Sequence, residues 1–512
     1  MESRRDGSTP EAPYTAWLLI GIVGLLALAL RLWGIAWGAP FIYHADEHYV
    51  LHRALDVVRE HDLNPHWFQY PTLLIYVQAL LILILQPFVY APLTTNAALN
   101  GIGPWDALPE QWPFVLAGRL LVALAGVVGV VLLAQAGRRW HSAAAGVSAA
   151  LLLAVLPLYV DSAHYLTTDV PAVVLIAATV WASLRAEPER MRAWVIAGAC
   201  AGLAAGTKYT AGFVVLVPLV IASDLRQPSA SLRRLMYVGA GVIAAFLIVC
   251  PYSLLDLENF LRGLDEQRQN YHAGSTPDHS WYWYLTYLWQ YELHPGAAAA
   301  ALVGVGFALH RRRRTDVALL FAPLCYFAVV ATFPSRPERN VLPLLPFACL
   351  FAGRGIVEIG TRVLPARIAS AVIAVVVLGL AWLPLGEAMR MNRERARPDT
   401  RTLAWQWVQT NLPAGTCVVR EEYTPQLSAA DYRVVYIWSL AQRPYSWYLG
   451  QGCDHVIASS HIYNRVYNPP FIGGATAAEF YRVLFTVPVV AEFTPGTDVT
   501  GPTIRIFKLP RE

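Results

Sequence analysis

Charge-free apolar runs alternate with short arginine-bearing loops along most of this chain. The first run carries no charge from Thr15 to Leu30. Further runs cover roughly 113–136, 142–160, 170–185, 193–206, 209–224, 236–254, 296–310, 316–333, 340–357 and 366–387. Runs of this length and polarity predict membrane-spanning helices, about eleven in all. One further apolar stretch, Tyr70 to Tyr90, reads differently. Arginines collect in cytoplasmic loops, so Gly137-Arg-Arg-Trp140 and the N-terminus with Arg4 and Arg5 belong on one side. An even number of crossings must separate them, and the runs at 15–33 and 113–136 already supply two. Tyr70 to Tyr90 is therefore expected to be re-entrant or juxtamembrane. The same rule predicts a cytoplasmic N-terminus and an extracytoplasmic C-terminus.

Between the first two spans lies a long loop, 34–112. Within it, Tyr49, Val50, Ala54, Val57 and Val58 recur at helical spacing with charges between them. This predicts an amphipathic helix over Ala45 to His61, lying at the membrane surface. From about Asn392 the pattern changes. Short β-rich runs at Cys417 to Glu421, Arg433 to Trp438, His455 to Ser459, Val489 to Phe493 and Thr503 to Leu509 alternate with helix candidates at Thr402 to Thr410 and Ala477 to Phe485. The expected architecture is a mainly helical polytopic domain over 1–390, followed by a small extracytoplasmic α/β domain over 391–512.

Composition supports the membrane assignment: of 512 residues, 56% are hydrophobic and only 14% charged. The net charge of +4 resides largely in short-loop arginines, which report orientation and give no sign of a nucleic-acid partner. Four of the six cysteines fall in apolar runs. Cys417 and Cys453 each precede a β-run in the tail. In a parallel layer the first and third strands are often neighbours, so a disulfide is expected between them in an oxidising compartment.

Ionisable residues at the ends of apolar runs are costly to place there and mark candidate function. The chain holds an adjacent acid pair, Asp46-Glu47, where it leaves the first span. Asp46 is the candidate general base, with Glu47 to hold or tune it. Asp169, in Ser162-Ala-His-Tyr-Leu-Thr-Thr-Asp-Val-Pro171, is a third catalytic candidate. Lys208 and Arg339 suit a phosphate, as a point charge and a planar fork respectively; Arg119 and Arg336 are further candidates. His44, His48, Tyr70, His164 and Tyr165 are candidate substrate-pocket residues. The histidine spacing supports no assigned metal site, although a divalent cation is compatible with the carboxylates.

These stretches resemble a known family. An Asp-Glu pair in the first external loop looks like the GT-C glycosyltransferases, especially the protein O-mannosyltransferase-like (family 39) and aminoarabinose-transferase-like branches. The resemblance rests on His44-Ala-Asp-Glu47, Asn64-Pro65 with Tyr70-Pro71, Thr168-Asp-Val-Pro171, Gly202-Leu-Ala-Ala-Gly-Thr-Lys208 and Arg339-Asn-Val-Leu-Pro-Leu-Leu-Pro346. Asn340-Val341 departs from the Tyr-Leu usual after that arginine. The resemblance implies an inverting enzyme of the plasma membrane with Asp46 as base. Its donor would be a polyprenyl-phosphate sugar, its acceptor a lipid, glycan or protein. A transporter or flippase for lipid-linked sugars is the other class that many spans with membrane-edge charges describe. It would usually show repeated halves, and none is visible.

Overall fold

The computed structural model describes residues 13–93, 108–272, 279–467 and 474–510. The N-terminal arginines and the middle of the first long loop lie outside these. Every apolar run is helical, but helix lengths do not reproduce eleven straight crossings. Among the described residues five helices are long and apolar enough to cross: Tyr14–Leu32, Pro109–Trp140, Pro228–Val249, Glu338–Val363 and Ala366–Arg395. A sixth arises if Ser280–Glu292 and His294–Arg311, bent by 115°, count as one span. The other runs fold as shorter or broken helices. Proline explains one break: Pro157 separates Ala143–Val155 from Pro157–Ser162, because a proline ring cannot follow a helical turn without displacing it. The Tyr70 to Tyr90 stretch forms only Leu73–Leu85, 13 residues or about 20 Å of helix, short of a ~30 Å hydrocarbon core.

The surface helix forms over Glu47–Glu60 and buries Val50, Leu51, Ala54, Leu55, Val57 and Val58. All but Val50, which joins the main bundle core, pack on Ile75, Ala79 and Ile82 of the Leu73–Leu85 helix and on Phe114 and Val115. Its apolar face therefore rests on protein.

Small residues set the bundle's spacing. Helices His294–Arg311 and Leu345–Val363 meet at Gly304 and Gly355, where a Cβ would collide with the carbonyl oxygens of Phe351 and Ala300 respectively. Gly198 and Gly241 do the same for Met191–Ala205 against Pro228–Val249. Backbones approach this closely only where side chains are missing, the usual device of membrane bundles.

The last long helix, Ala366–Arg395, runs past the boundary expected at 390. Its end is tied down: Asn392 donates to the Leu30 carbonyl at 2.6 Å, and Arg395 pairs with Asp161. After the Thr400–Asn411 helix comes a mixed five-stranded sheet. Its strands are β1 (Cys417–Glu421), β2 (Arg433–Ile437), β3 (His455–Ser459), β4 (Val489–Phe493) and β5 (Ile504–Lys508), in the order β2-β1-β3-β5-β4. β1 runs parallel to β2 and β3, whereas β5 is antiparallel to β3 and β4. Cys417 and Cys453 are joined by a disulfide, with Cα atoms 4.6 Å apart.

Candidate active site

The sheet domain grips the loop that leads to the acid pair. Gln426 donates to the Ile42 carbonyl at 3.0 Å, and Tyr43 shares a 2.9 Å hydroxyl hydrogen bond with Thr402. The Arg401 guanidinium lies 3.8 Å from the centre of the Tyr43 ring, and Phe41 packs edge-on against Trp405. Cation–π and edge-to-face geometries of this kind hold a loop without charge pairing.

Asp46 then takes the N-cap position of Glu47–Glu60, yet its side chain makes no cap hydrogen bond. Its carboxylate instead forms an ion pair with Arg339, which arrives from the Glu338–Leu344 turn. Both remain partly open, at 16% and 34% side-chain exposure. The Asp46 backbone N–H donates to His44 Nδ1 at 3.2 Å, and the His44 ring stacks on Tyr165 at 4.2 Å. Burial, reinforced by Arg339, pulls the His44 imidazole below its ordinary value despite the opposing Glu47. A neutral ring is what an accepting Nδ1 requires.

Glu47 points the other way. It is fully buried and forked by Arg119 at 2.7 and 2.6 Å, and it also accepts the Leu166 N–H at 2.8 Å. Arg119 spends its remaining arm on the carbonyls of Ile35 and Trp37 and lies under the Trp112 ring. The expectation this geometry corrects is Arg119 as a phosphate contact, while Glu47 stays the candidate that holds or tunes Asp46. Glu47 is out of reach of a substrate proton, and Arg119, at 1% exposure, is committed to Glu47 rather than open to a phosphate. The fork ties down the start of the helix that presents Asp46, the geometry a positioning role requires.

Lys208 and Asp169 form a second buried pair at 2.6 Å, each side chain 8% exposed. Asp169 opens the Asp169–Arg185 helix, where an anion also meets the helix dipole. Lys208 is held in place because the Gly206 carbonyl accepts the Leu73 N–H at 3.1 Å. Nearby, Tyr326 donates to the Asn340 carbonyl at 2.7 Å and Asn340 donates to Tyr284 at 2.9 Å, which fixes the turn bearing Arg339. Arg336 reaches Ser280 at 3.1 Å. Tyr70 joins Tyr49 and Trp67 in an aromatic wall beside these groups.

Two pocket histidines turn inward. His164 is fully buried with its ring nitrogens facing the carbonyls of Val160 and Trp33, and His48 is 3% exposed on the inner face of its helix. Neither can line a pocket. Tyr165 does stay at the site. It is joined by two residues that sequence reasoning missed: Asp161, which accepts from Tyr165 at 3.3 Å, and Arg395, which donates to Tyr165 at 3.2 Å and pairs with Asp161. The signal was an acid closing an apolar run one helical turn before Tyr165.

Among the described residues no group of three or more His, Cys, Asp or Glu side chains converges as a ligand set. Asp46 faces an arginine where a cation would need further carboxylates. Among the described residues the side chains around Asp46 do not form a metal cage.

Comparison with known proteins agrees with this architecture. A family described as dolichyl-phosphate-mannose-protein mannosyltransferase matches residues 115–254. ArnT from Cupriavidus metallidurans, solved bound to undecaprenyl phosphate, superposes over 97% of this chain and 98% of its own at 15% identity and TM-score 0.57. The Archaeoglobus fulgidus oligosaccharyltransferase, solved with zinc and sulfate, covers 87% of this chain and 68% of its own at 13% identity and TM-score 0.51. The same archaeal enzyme tethered to an acceptor peptide gives 11% identity and TM-score 0.53, over 96% of this chain and 74% of its own. No curated protein sequence matches. The chain shares its fold with these structures, and with five or six helices long and apolar enough to cross among the described residues it is a multi-pass membrane protein.

Proposed function

We propose that this protein is an inverting glycosyltransferase of the plasma membrane. It moves a sugar from a polyprenyl-phosphate donor to a hydroxyl or amine on a lipid, glycan or protein acceptor at the extracytoplasmic face. The observation that carries the reading is the Asp46–Arg339 pair, partly open, at the start of a helix whose next residue is locked by Arg119. An acceptor hydroxyl has a high pKa and needs a base as it attacks. In the substrate-free protein the Arg339 guanidinium is occupied by the Asp46 carboxylate. A donor phosphate competes for the same guanidinium by bidentate contact and so frees the carboxylate. The acceptor oxygen then bonds to the anomeric carbon from the face opposite the phosphate. The bond from that carbon to the phosphate oxygen breaks, its electron pair leaving with polyprenyl phosphate. Asp46 takes the acceptor proton. The leaving phosphate needs no proton, so one base suffices. Tyr165 and Tyr70 offer ring faces and hydroxyls to a sugar or acceptor, and Asp169 acts by fixing Lys208.

The test uses the purified full-length protein with polyprenyl-phosphate sugar and candidate acceptors, and it reads release of polyprenyl phosphate. Asp46→Asn keeps the size of the side chain and removes its basicity. Turnover should fall by the ~10²–10⁴-fold that general-base help is worth, with donor binding retained. Wild-type-like turnover in Asp46→Asn would end the mechanism.

A further inference from the structure

A second charged site lies far from Asp46. A cavity of about 740 Å³ opens between the first turns of the Pro13–Leu32 helix, the last turns of Trp112–Trp140 and Asp169–Arg185, and the start of Met191–Ala205. Arg138, Arg139 and Arg185 line it, with Gln135, Trp17 and Trp181. Glu187 and Arg190 complete the rim and neutralise one another at 2.9 Å. Among the described residues none of Arg138, Arg139 and Arg185 has a carboxylate partner, so the lining keeps three uncompensated positive charges. Two of the three lie against tryptophan faces: Arg138 is 5.0 Å from the Trp17 ring and Arg185 is 4.8 Å from Trp181. Gln135 Nε2 and Arg138 Nη1 are buried without an acceptor. A cavity whose wall offers donors and excess positive charge wants an anion.

Helix geometry places this cavity at the other membrane surface. Arg119, beneath Glu47, and Arg138 lie on one helix, separated by 19 residues and hence about 28 Å of rise, close to the ~30 Å hydrocarbon thickness. Asp169 and Arg185 mark the two ends of another helix in the same sense. The rim is also apolar towards the outside, where Trp17 and Ile196 are more than half exposed. Exposed tryptophan beside arginine is the signature of the headgroup level.

We propose that this cavity is a binding site for one anionic phospholipid of the leaflet opposite the Asp46 site. The phosphate sits among Arg138, Arg139 and Arg185, and the acyl chains run down the outer faces of Trp17 and Ile196. Basic pockets between helices take anionic headgroups by the same chemistry. The site is independent of the catalytic reading, because it shares no residue with it.

Native mass spectrometry of the full-length protein in mild detergent tests this. Phosphatidylglycerol and phosphatidylcholine of equal chain length are titrated separately. The wild type should bind one phosphatidylglycerol with a preference of about tenfold or more, the scale expected when two or three arginines face one anionic headgroup. Arg139→Gln/Arg185→Gln should bring that affinity down to the phosphatidylcholine level with an unchanged melting temperature. Arg226→Gln, an exposed arginine outside the cavity, should keep the preference. Equal binding of the two lipids by the wild type would overturn the proposal, as would an equal loss in Arg226→Gln. An added arm with inorganic phosphate separates headgroup chemistry from the whole lipid: displacement of phosphatidylglycerol by phosphate alone would refute the lipid assignment.

Discussion

Arg119 holds Glu47 through two parallel hydrogen bonds of 2.7 and 2.6 Å in a pocket closed to solvent. Removing one partner strands the other as a buried charge, which costs about 3–5 kcal/mol. Glu47→Gln and Arg119→Ala should therefore lower the melting temperature sharply and lose activity with it. Asp46→Asn, one residue away, should melt like the wild type. Thermal melts of the three variants in detergent check this, and a stable Glu47→Gln would contradict the positioning role.

Lys208 and Asp169 call for a different test. The donor-phosphate role of Lys208 and its pairing with Asp169 predict different double-mutant behaviour. Lys208→Ala leaves Asp169 buried and unpaired, so stability should fall. Lys208→Ala/Asp169→Ala should recover much of that loss, with a coupling of about 0.5–3 kcal/mol between the pair. If Lys208 also meets the donor phosphate, the stabilised double variant will still bind donor weakly. Donor titration of the double variant decides between the two.

In the sheet domain, Glu421 ends β1 fully buried, accepting from the Leu440 and Ser459 amides and the Tyr481 hydroxyl. Burial outweighs these bonds and pushes its carboxyl up to about 8 from 4.5. The folded state thus holds a proton that the unfolded chain has released. This contribution is fully present below pH 4.5 and is lost as pH rises through about 8. The slope should approach ~1.4 kcal/mol per pH unit between those values. Both carboxyl oxygens accept a backbone N–H, so the amide of Glu421→Gln would face one of these donors. That variant should lose about 1–3 kcal/mol and flatten the pH profile. Melting curves followed by a sheet-domain signal across pH provide the readout.

The Cys417–Cys453 bond closes a loop of 36 residues between β1 and the entry to β3. Chain entropy assigns such a crosslink about 3–4 kcal/mol. Cys417→Ser/Cys453→Ser should lower the sheet domain's melting temperature while leaving donor affinity unchanged, which peptide mapping and donor titration together would establish.

Asp46 was legible because an acid beside a charge-free run is conspicuous whatever it does. The partner of Glu47 was not, because nothing near it in the chain points to Arg119, which the fold delivers from 72 positions away. Arg395 likewise reaches Asp161 across 234 positions, and Arg401 touches Tyr43 across 358, distances over which sequence pattern is silent. The runs themselves were readable, since apolar length speaks locally. Where they break was less so: the run 209–224 opens as the 3-10 turn Tyr209–Val215 before the short helix Leu216–Ala222. The neighbourhood of β1 and β3 was readable from the two cysteines, while β5 inserting antiparallel beside β3 needed the hairpin's tertiary contacts.

The glycine contacts at Gly304, Gly355, Gly198 and Gly241 make the bundle a jig with no adjustment screws. Two helices that meet through side chains can yield by swapping rotamers. Two that meet through bare backbone have nothing to swap. A donor or acceptor of another girth must therefore be admitted by the short segments hung on this frame: the loop 41–46, clasped by the sheet domain, and the turn that carries Arg339. Changes of substrate preference should accumulate in those segments and their grips, with the helix crossings left as they are.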